Sequence, residues 1–144
     1  MNIVLDSNIL MSIIISQKGK TSQQFQLLSL KHNLHIHCAT LEELAKHHLK
    51  LMKSSKSTES ELEVSIKLLL DKLKVVNYVD IPNEIQDVAF LLVYGIDQDD
   101  AAFVAATIYL GAILWSGDKP LNKGLKARGF ANIFDSTEIE ILLQ

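Results

Sequence analysis

The chain has one cysteine, Cys38, in 144 residues. A disulfide within the chain is therefore excluded, and so is a zinc site built from several thiolates. Such usage fits a reducing, cytosolic setting. Aromatic residues make up only 6% and include a single tryptophan, Trp115, so no run of aromatic side chains marks a base-stacking platform. With two prolines and six glycines there is no Pro- or Gly-rich linker, and no low-complexity segment or internal repeat. Long hydrophobic runs are also missing. The longest, Val88 to Ile96, is about half of the roughly 18–20 residues a membrane helix needs. The opening Met-Asn-Ile-Val-Leu-Asp has no basic region and reaches an acid at Asp6, so no secretory leader is expected. Neither sign of charge dominates: 14 Lys and Arg face 17 Asp and Glu, for a net −3. That balance argues mildly against a nucleic-acid partner. If a few of the acids hold cations, however, the rest of the surface is near neutral, and local basic patches can still take a phosphate backbone.

The composition that is present, 48% hydrophobic and 22% charged, supports one packed domain over residues 1–144. Short apolar or β-branched runs read as strands at 2–5, 35–38, 75–79, 112–115 and 132–134. Helical patterning lies between them. Residues 8–16 are apolar all round. Residues 22–31 carry Phe25, Leu27, Leu28 and Leu30. Thr40 stands three residues before Glu43, the capping-box spacing, and Leu41, Leu44, Ala45, His48, Leu49 and Met52 share one face of the helix that follows. A polar break at 53–58 leads to a second helix with a stripe at Leu62, Ile66, Leu69, Leu70 and Leu73, so the two form a hairpin. Pro82 opens a further helix that Gly95 ends. An Ala-rich helix runs from Asp97 to Leu110 and closes at Gly111. Another runs from Pro120 to Arg128, stopped by Gly129, and a last one starts at Ser136. Strands alternating with helices predict an α/β domain with a short, mainly parallel sheet.

Four acids recur at strand exits or helix starts in this pattern: Asp6, Glu43, Asp100 and Asp118. Each has a bland explanation as a helix cap or an exposed side chain. Together they lie where the carboxyl ends of parallel strands share one edge, the edge at which ligands gather in such sheets. Carboxylates packed there repel one another, and a divalent cation relieves the cost. Oxygen-only ligands, with no paired histidines on a helix, select Mg²⁺ or Mn²⁺. His35-x-His37 on a strand lacks the further ligands a zinc site wants and reads as structural.

The same residues carry a resemblance. Leu5-Asp6-Ser7-Asn8-Ile9-Leu10 resembles the first motif of the PIN-domain nucleases, a strand ending in Asp followed by a small residue and Asn or Thr. Thr40-Leu41-Glu42-Glu43-Leu44 is similar to the second. Gly95-Ile96-Asp97-Gln98-Asp99-Asp100, with the Ala-rich helix after it, resembles the third. Leu114-Trp115-Ser116-Gly117-Asp118-Lys119-Pro120-Leu121 resembles the fourth. The order and spacing match across nearly the whole chain. One departure is that Ala106 is followed by Thr107-Ile108-Tyr109 rather than more small residues.

The resemblance implies a three-layer α/β/α fold with a helical hairpin. It also implies Mg²⁺- or Mn²⁺-dependent cleavage of RNA phosphodiester bonds by metal-activated water, in a cytoplasmic protein of the toxin half of a toxin–antitoxin pair. Asp6, Glu43, Asp100 and Asp118 are carried over as catalytic metal ligands, with Asp97 as a fifth acid. Asp99 is the weaker alternative, about 100° around a helix from Asp100. Asn8 and Ser116 are candidates for orienting water or a carboxylate.

For RNA, Lys119, Lys123 and Lys126 share a helix face near Asp118, with Arg128 close by. Lys46, Lys50 and Lys53 do the same on the Glu43 helix. The hairpin over residues 41–73 is the candidate surface for an antitoxin or for a second copy in a homodimer. Three rival readings stand beside this one. A haloacid-dehalogenase-like phosphatase wants an Asp where Asn8 stands. A receiver-like module wants adjacent acids at the first strand. A catalytically silent PIN-like fold would bind RNA or protein without the intact acids.

Overall fold

The computed structural model describes residues 1–144. Five strands form one sheet: β1 (Asn2–Leu5), β2 (Asn33–His37), β3 (Lys74–Val76), β4 (Ile113–Trp115) and β5 (Ile133–Phe134). Their order is β3-β2-β1-β4-β5, and every neighbouring pair is parallel. The sheet is thus wholly parallel. From β1 the chain builds outward through β2 and β3, then returns to the other side of β1 for β4 and β5. The strand order therefore reverses between β1 and β4, and a crevice opens beyond their carboxyl ends.

Eight α-helices cover the sheet: α1 (Ser7–Ile15), α2 (Lys20–Ser29), α3 (Cys38–Lys46), α4 (His48–Ser55), α5 (Glu59–Leu70), α6 (Asn83–Val93), α7 (Ala101–Leu110) and α8 (Lys119–Ala127). Strand alternation sorts them into two layers, because successive side chains point to opposite faces. Ile3 and Leu5 pack with Ile9, Ile13, Phe25, Leu44, Leu51 and Leu62 from α1 to α5. Val4, between them in β1, packs with Ala89, Val93, Phe103, Leu121 and Leu125 from α6, α7 and α8. The result is the expected α/β/α arrangement. Strands buried on both faces explain why these runs are apolar throughout rather than alternating.

Several local expectations are corrected. Thr40 is not a helix cap. The third helix starts at Cys38, and its cap is His37, whose Nδ1 accepts the Ala39 N–H. Thr40 lies inside α3, buried, with its hydroxyl 3.0 Å from that of Ser7. The single helix expected through 41–52 is two helices broken at His47. The break rotates the second half, so Leu49 is 80% exposed and Leu51 takes the core position at 1%. β2 starts two residues early, at Asn33, which pairs with Asn2. β3 stops at Val76, and Tyr78–Asp80 turns in a 3₁₀ helix that leaves Val79 outside. A 3₁₀ turn (Gln98–Asp100) precedes α7, and the C-terminal helix is a 3₁₀ segment, Glu138–Leu143.

α7 ends as expected at Gly111, which adopts φ +59° and returns its N–H to the last turn. A Cβ there meets nothing within 4 Å. Gly111→Ala is therefore expected to cost about 1–2 kcal/mol from left-handed backbone strain alone, measured as a shift in the denaturation midpoint with an unchanged slope.

Candidate active site

Parallel pairing aligns Leu5 with Trp115, so the next residues, Asp6 and Ser116, leave the sheet side by side in the crevice. Asp6 is held by its own backbone, whose N–H donates to Trp115 O at 3.1 Å. Its Oδ1 accepts the Ile9 N–H at 2.8 Å and caps α1. Asp118 does the same for α8, accepting from Leu121 N at 3.0 Å. Asp97 caps the 3₁₀ turn by accepting from Asp99 N at 3.0 Å. The cap explanation thus holds for all three residues and does not exclude a place in the site. Each cap uses one carboxylate oxygen.

These acids line one cavity of about 530 Å³ with Glu42, Glu43, Asp99 and Asp100, and His47 stands in its wall. Carboxylate oxygens of Asp97, Asp100 and Asp118 lie within 4.8 Å of one another. Asp6 and Glu43 line the same cavity but fall outside that close triad. Asp99 also lines it, at the side where it meets a neighbouring cavity. Asn8 is an exposed part of the wall. Ser116 is fully buried, and its Oγ accepts the Asp118 N–H at 3.2 Å.

The electrostatics follow from this crowding. Burial is the main reason Asp100 is raised from its ordinary 3.8 to about 7, and the charges of Asp97, Asp118, Asp6 and Asp99 add to it. Burial likewise raises Asp6. The Ser116 hydroxyl and the Ile9 N–H pull it back, while Asp118 and Glu43 push it up again. Asp100 Oδ2 is buried with no hydrogen-bond partner. A buried carboxylate oxygen without a donor, facing two more carboxylates, is costly. It is also the chemistry of a hard-cation site, since the three groups that come closest together are all carboxylates. The residues therefore fit Mg²⁺ or Mn²⁺, with Asp97, Asp100 and Asp118 nearest to one another.

Four residues shape the site without having been singled out for it by the sequence. Asn122, one helical turn after Asp118, donates its amide to Ser116 O and Asp118 O, both at 2.9 Å, and so pins the β4–α8 turn. Ser7 and Thr40 tie the start of α1 to α3, linking the helices that bear Asp6 and Glu43. Tyr78 forms part of the cavity wall from beyond β3.

The basic candidates separate. Lys46 lines the cavity. Lys50 and Lys53 are on α4, not on the Glu43 helix, because of the break at His47. Lys126 is held by Glu138 at 2.6 Å. The Arg128 guanidinium donates to Leu92 O and Tyr94 O. Lys119 and Lys123 are exposed on α8. His35 and His37 bind Asn2 and the α3 N-terminus respectively rather than one another's ligand. Trp115 is core, its indole N–H donating to Ser136 Oγ at 3.1 Å.

No curated protein matches the chain by sequence. Among solved structures it is similar to VapBC2 from Rickettsia felis, solved bound to a DNA fragment from their promoter. The TM-score is 0.67 at 17% identity, covering 94% of this chain and 98% of the other. At that identity the likeness is one of fold. The PIN domain itself matches over residues 4–138, from β1 into the C-terminal 3₁₀ segment, and spans all five candidate acids. With that match over nearly its whole length, the chain belongs to the PIN-domain family of nucleases.

Proposed function

We propose that this protein is an endoribonuclease that hydrolyses RNA phosphodiester bonds with Mg²⁺ or Mn²⁺, as the toxin of a toxin–antitoxin pair. The observation that supports this most is the cluster of carboxylates in the cavity at the strand-order reversal. There, carboxylate oxygens of Asp97, Asp100 and Asp118 converge, and Asp100 also holds a buried oxygen, Oδ2, without a hydrogen-bond partner. A divalent cation bound among them supplies a Lewis acid for the phosphate and acidifies water.

The protein's own contribution is positioning and proton handling. Asp118 and Asp97 are fixed by the caps they make. Asp6 is locked between β1 and α1, with Ser116 beside it. Glu43, reaching in from α3, is placed to orient the attacking water or accept its proton. Ser116 and Asn8 support that arrangement from the floor and the rim. Ser7 and His47 both line the cavity, but the Ser7 hydroxyl pairs with that of Thr40, so a side-chain nucleophile plays no part in this reading.

Structured and unstructured RNAs incubated with the protein and Mn²⁺ should be cut, and excess EDTA should stop the cutting. Undiminished cleavage in EDTA, or RNA bound but never cut, would transfer the reading to a metal-independent enzyme or a silent binding module.

RNA would reach the acids over Lys46, Lys119 and Lys123, whose charges are not drawn into ion pairs. Lys119→Ala/Lys123→Ala is expected to weaken binding evenly across sequences and to flatten the log–log salt dependence by about 2. Lys126→Ala should change the salt slope little, since Glu138 already holds that charge. The antitoxin reading draws on the similar VapBC2 complex. It also draws on an apolar groove between α3 and α5, lined by Leu41, Leu44, Ile66 and Leu70. That groove lies within the 41–73 surface.

A further inference from the structure

We propose that a second cavity beside the acids is a nucleobase subsite, seating one unstacked base of the RNA whose phosphate lies at the metal; this rests on the nuclease reading above. The cavity, about 470 Å³, opens between α6, the start of α7 and the turn after β3. Tyr78 and Asp99 line it and the acidic cavity alike, so the two are contiguous. Its size is that of a small-ligand pocket.

The lining selects the kind of occupant. No lysine or arginine contributes, and Asp87 and Asp99 do, so a phosphate is repelled and a neutral group is favoured. Two half-exposed aromatic rings, Tyr78 and Phe90, stand in its walls. Ala101, Ala102 and Ala105 leave one side without bulk, room for a planar ring. Every base has a π face, so stacking on such rings is sequence-tolerant.

Polar groups in the walls match a base edge. Gln86 donates its amide to Tyr78 O (3.2 Å) and Ile81 O (2.9 Å), which fixes the Tyr78 turn and leaves its carbonyl oxygen as an acceptor. Beneath Tyr78 lies His37, fully buried, with the two rings edge-to-face at 4.4 Å. Its Nδ1 accepts the Ala39 N–H, so the ring proton sits on Nε2. That N–H has no partner, and burial favours the neutral ring. The His37 N–H is sealed behind Tyr78, while the amides of Gln86 and Gln98 give the open wall a donor and an acceptor without a permanent positive charge. A base offers both complements on its edge, and neither a sugar nor a phosphate has a planar π face to stack.

The test uses the whole protein without metal and uncharged nucleosides, so it is independent of cleavage. In an amide NMR titration, adenosine, guanosine, cytidine and uridine are each added up to their solubility limit. Shifts are expected at Tyr78, Phe90 and Gln98 for at least one nucleoside, with Asp6 and Asp118 unmoved. Tyr78→Ala should weaken that binding by about tenfold or more, and Tyr78→Phe should keep it. In RNA cleavage, Tyr78→Ala should raise KM by a similar factor. An abasic residue beside the cut should remove the difference between it and the wild type. No shifts around the cavity for any nucleoside, or equal binding by Tyr78→Ala, would overturn the subsite even if RNA is cut. Shifts in a protein that cuts no RNA would keep the base site and overturn the nuclease reading alone.

Discussion

Replacing Asp118 with Asn is expected to slow RNA cleavage by about 100- to 1000-fold, the scale on which an electrostatic group in a catalytic site is felt. The fold should survive. Asp118 caps α8 through one oxygen, and Asn caps a helix as well as Asp does. Its amide oxygen can keep the bond from Leu121 N. What is lost is a charge within 4.8 Å of the oxygens of Asp97 and Asp100. Asp6→Asn follows the same logic. It retains the bond from Ile9 N and removes a carboxylate whose ionisation burial already opposes. Its melting temperature should equal or exceed that of the wild type. The measurement is a cleavage rate beside a thermal melt for each variant. Full activity in Asp118→Asn with an unchanged melt would place the chemistry elsewhere.

The second large effect couples stability, pH and metal. Without metal, the folded Asp100 binds its proton up to about 7, whereas its ordinary value is 3.8. Between those values the folded state holds a proton that the unfolded chain has released. The stabilisation is therefore complete below the ordinary value and is lost as pH rises through about 7. Asp6, also raised, adds in the same direction. A cation must displace those protons, so its affinity rises with pH over the same window.

At pH 8, Mn²⁺ at 100 times its Kd should add about 2.7 kcal/mol, or roughly 5–10 °C in a domain of this size. At pH 5 the same concentration should add far less. Asp100→Asn should flatten the metal-free decline with pH and abolish the gain from Mn²⁺. Calorimetry from pH 5 to pH 8, with and without Mn²⁺, reads all three. An equal gain at both pH values, or none at either, would remove the cation from this cavity.

Much of this was readable from residue order, for identifiable reasons. The apolar runs at Ile3–Leu5 and Leu114–Trp115 are buried on both faces, so strand assignment needed no alternation. Gly111 and Gly129 both take positive φ where helix ends were expected. Asp6, Glu43, Asp100 and Asp118 stood out because each lies at a strand exit or near a helix start, and Asp97 joined them as a fifth. The 41–52 region misled because its hydrophobic period runs smoothly through His47. Only packing against α1 and α5 shows that Leu51, not Leu49, turns inward. The lysine stripe on α8 misled for a similar reason. Lys126 meets a glutamate twelve residues on, a pairing that helical spacing does not contain.

By itself, the sequence determined which residue types could meet: oxygen donors without thiolates, placed at the ends of buried strands in a βα order. The tertiary structure decided which of them do meet. Reversal of strand order at β1 and β4 brings Asp6, Asp100 and Asp118 into one crevice from positions far apart in the chain. The same reversal leaves Asp6 and Glu43 outside the close triad that Asp97 joins. The structure also revealed the unpartnered Asp100 Oδ2 and the cavity beneath Tyr78. Local spacing governs caps, turns and faces, because those depend on neighbours within a few residues. Burial, repulsion between carboxylates and the shape of a cavity depend on contacts across the sheet, and those form only when the chain has folded.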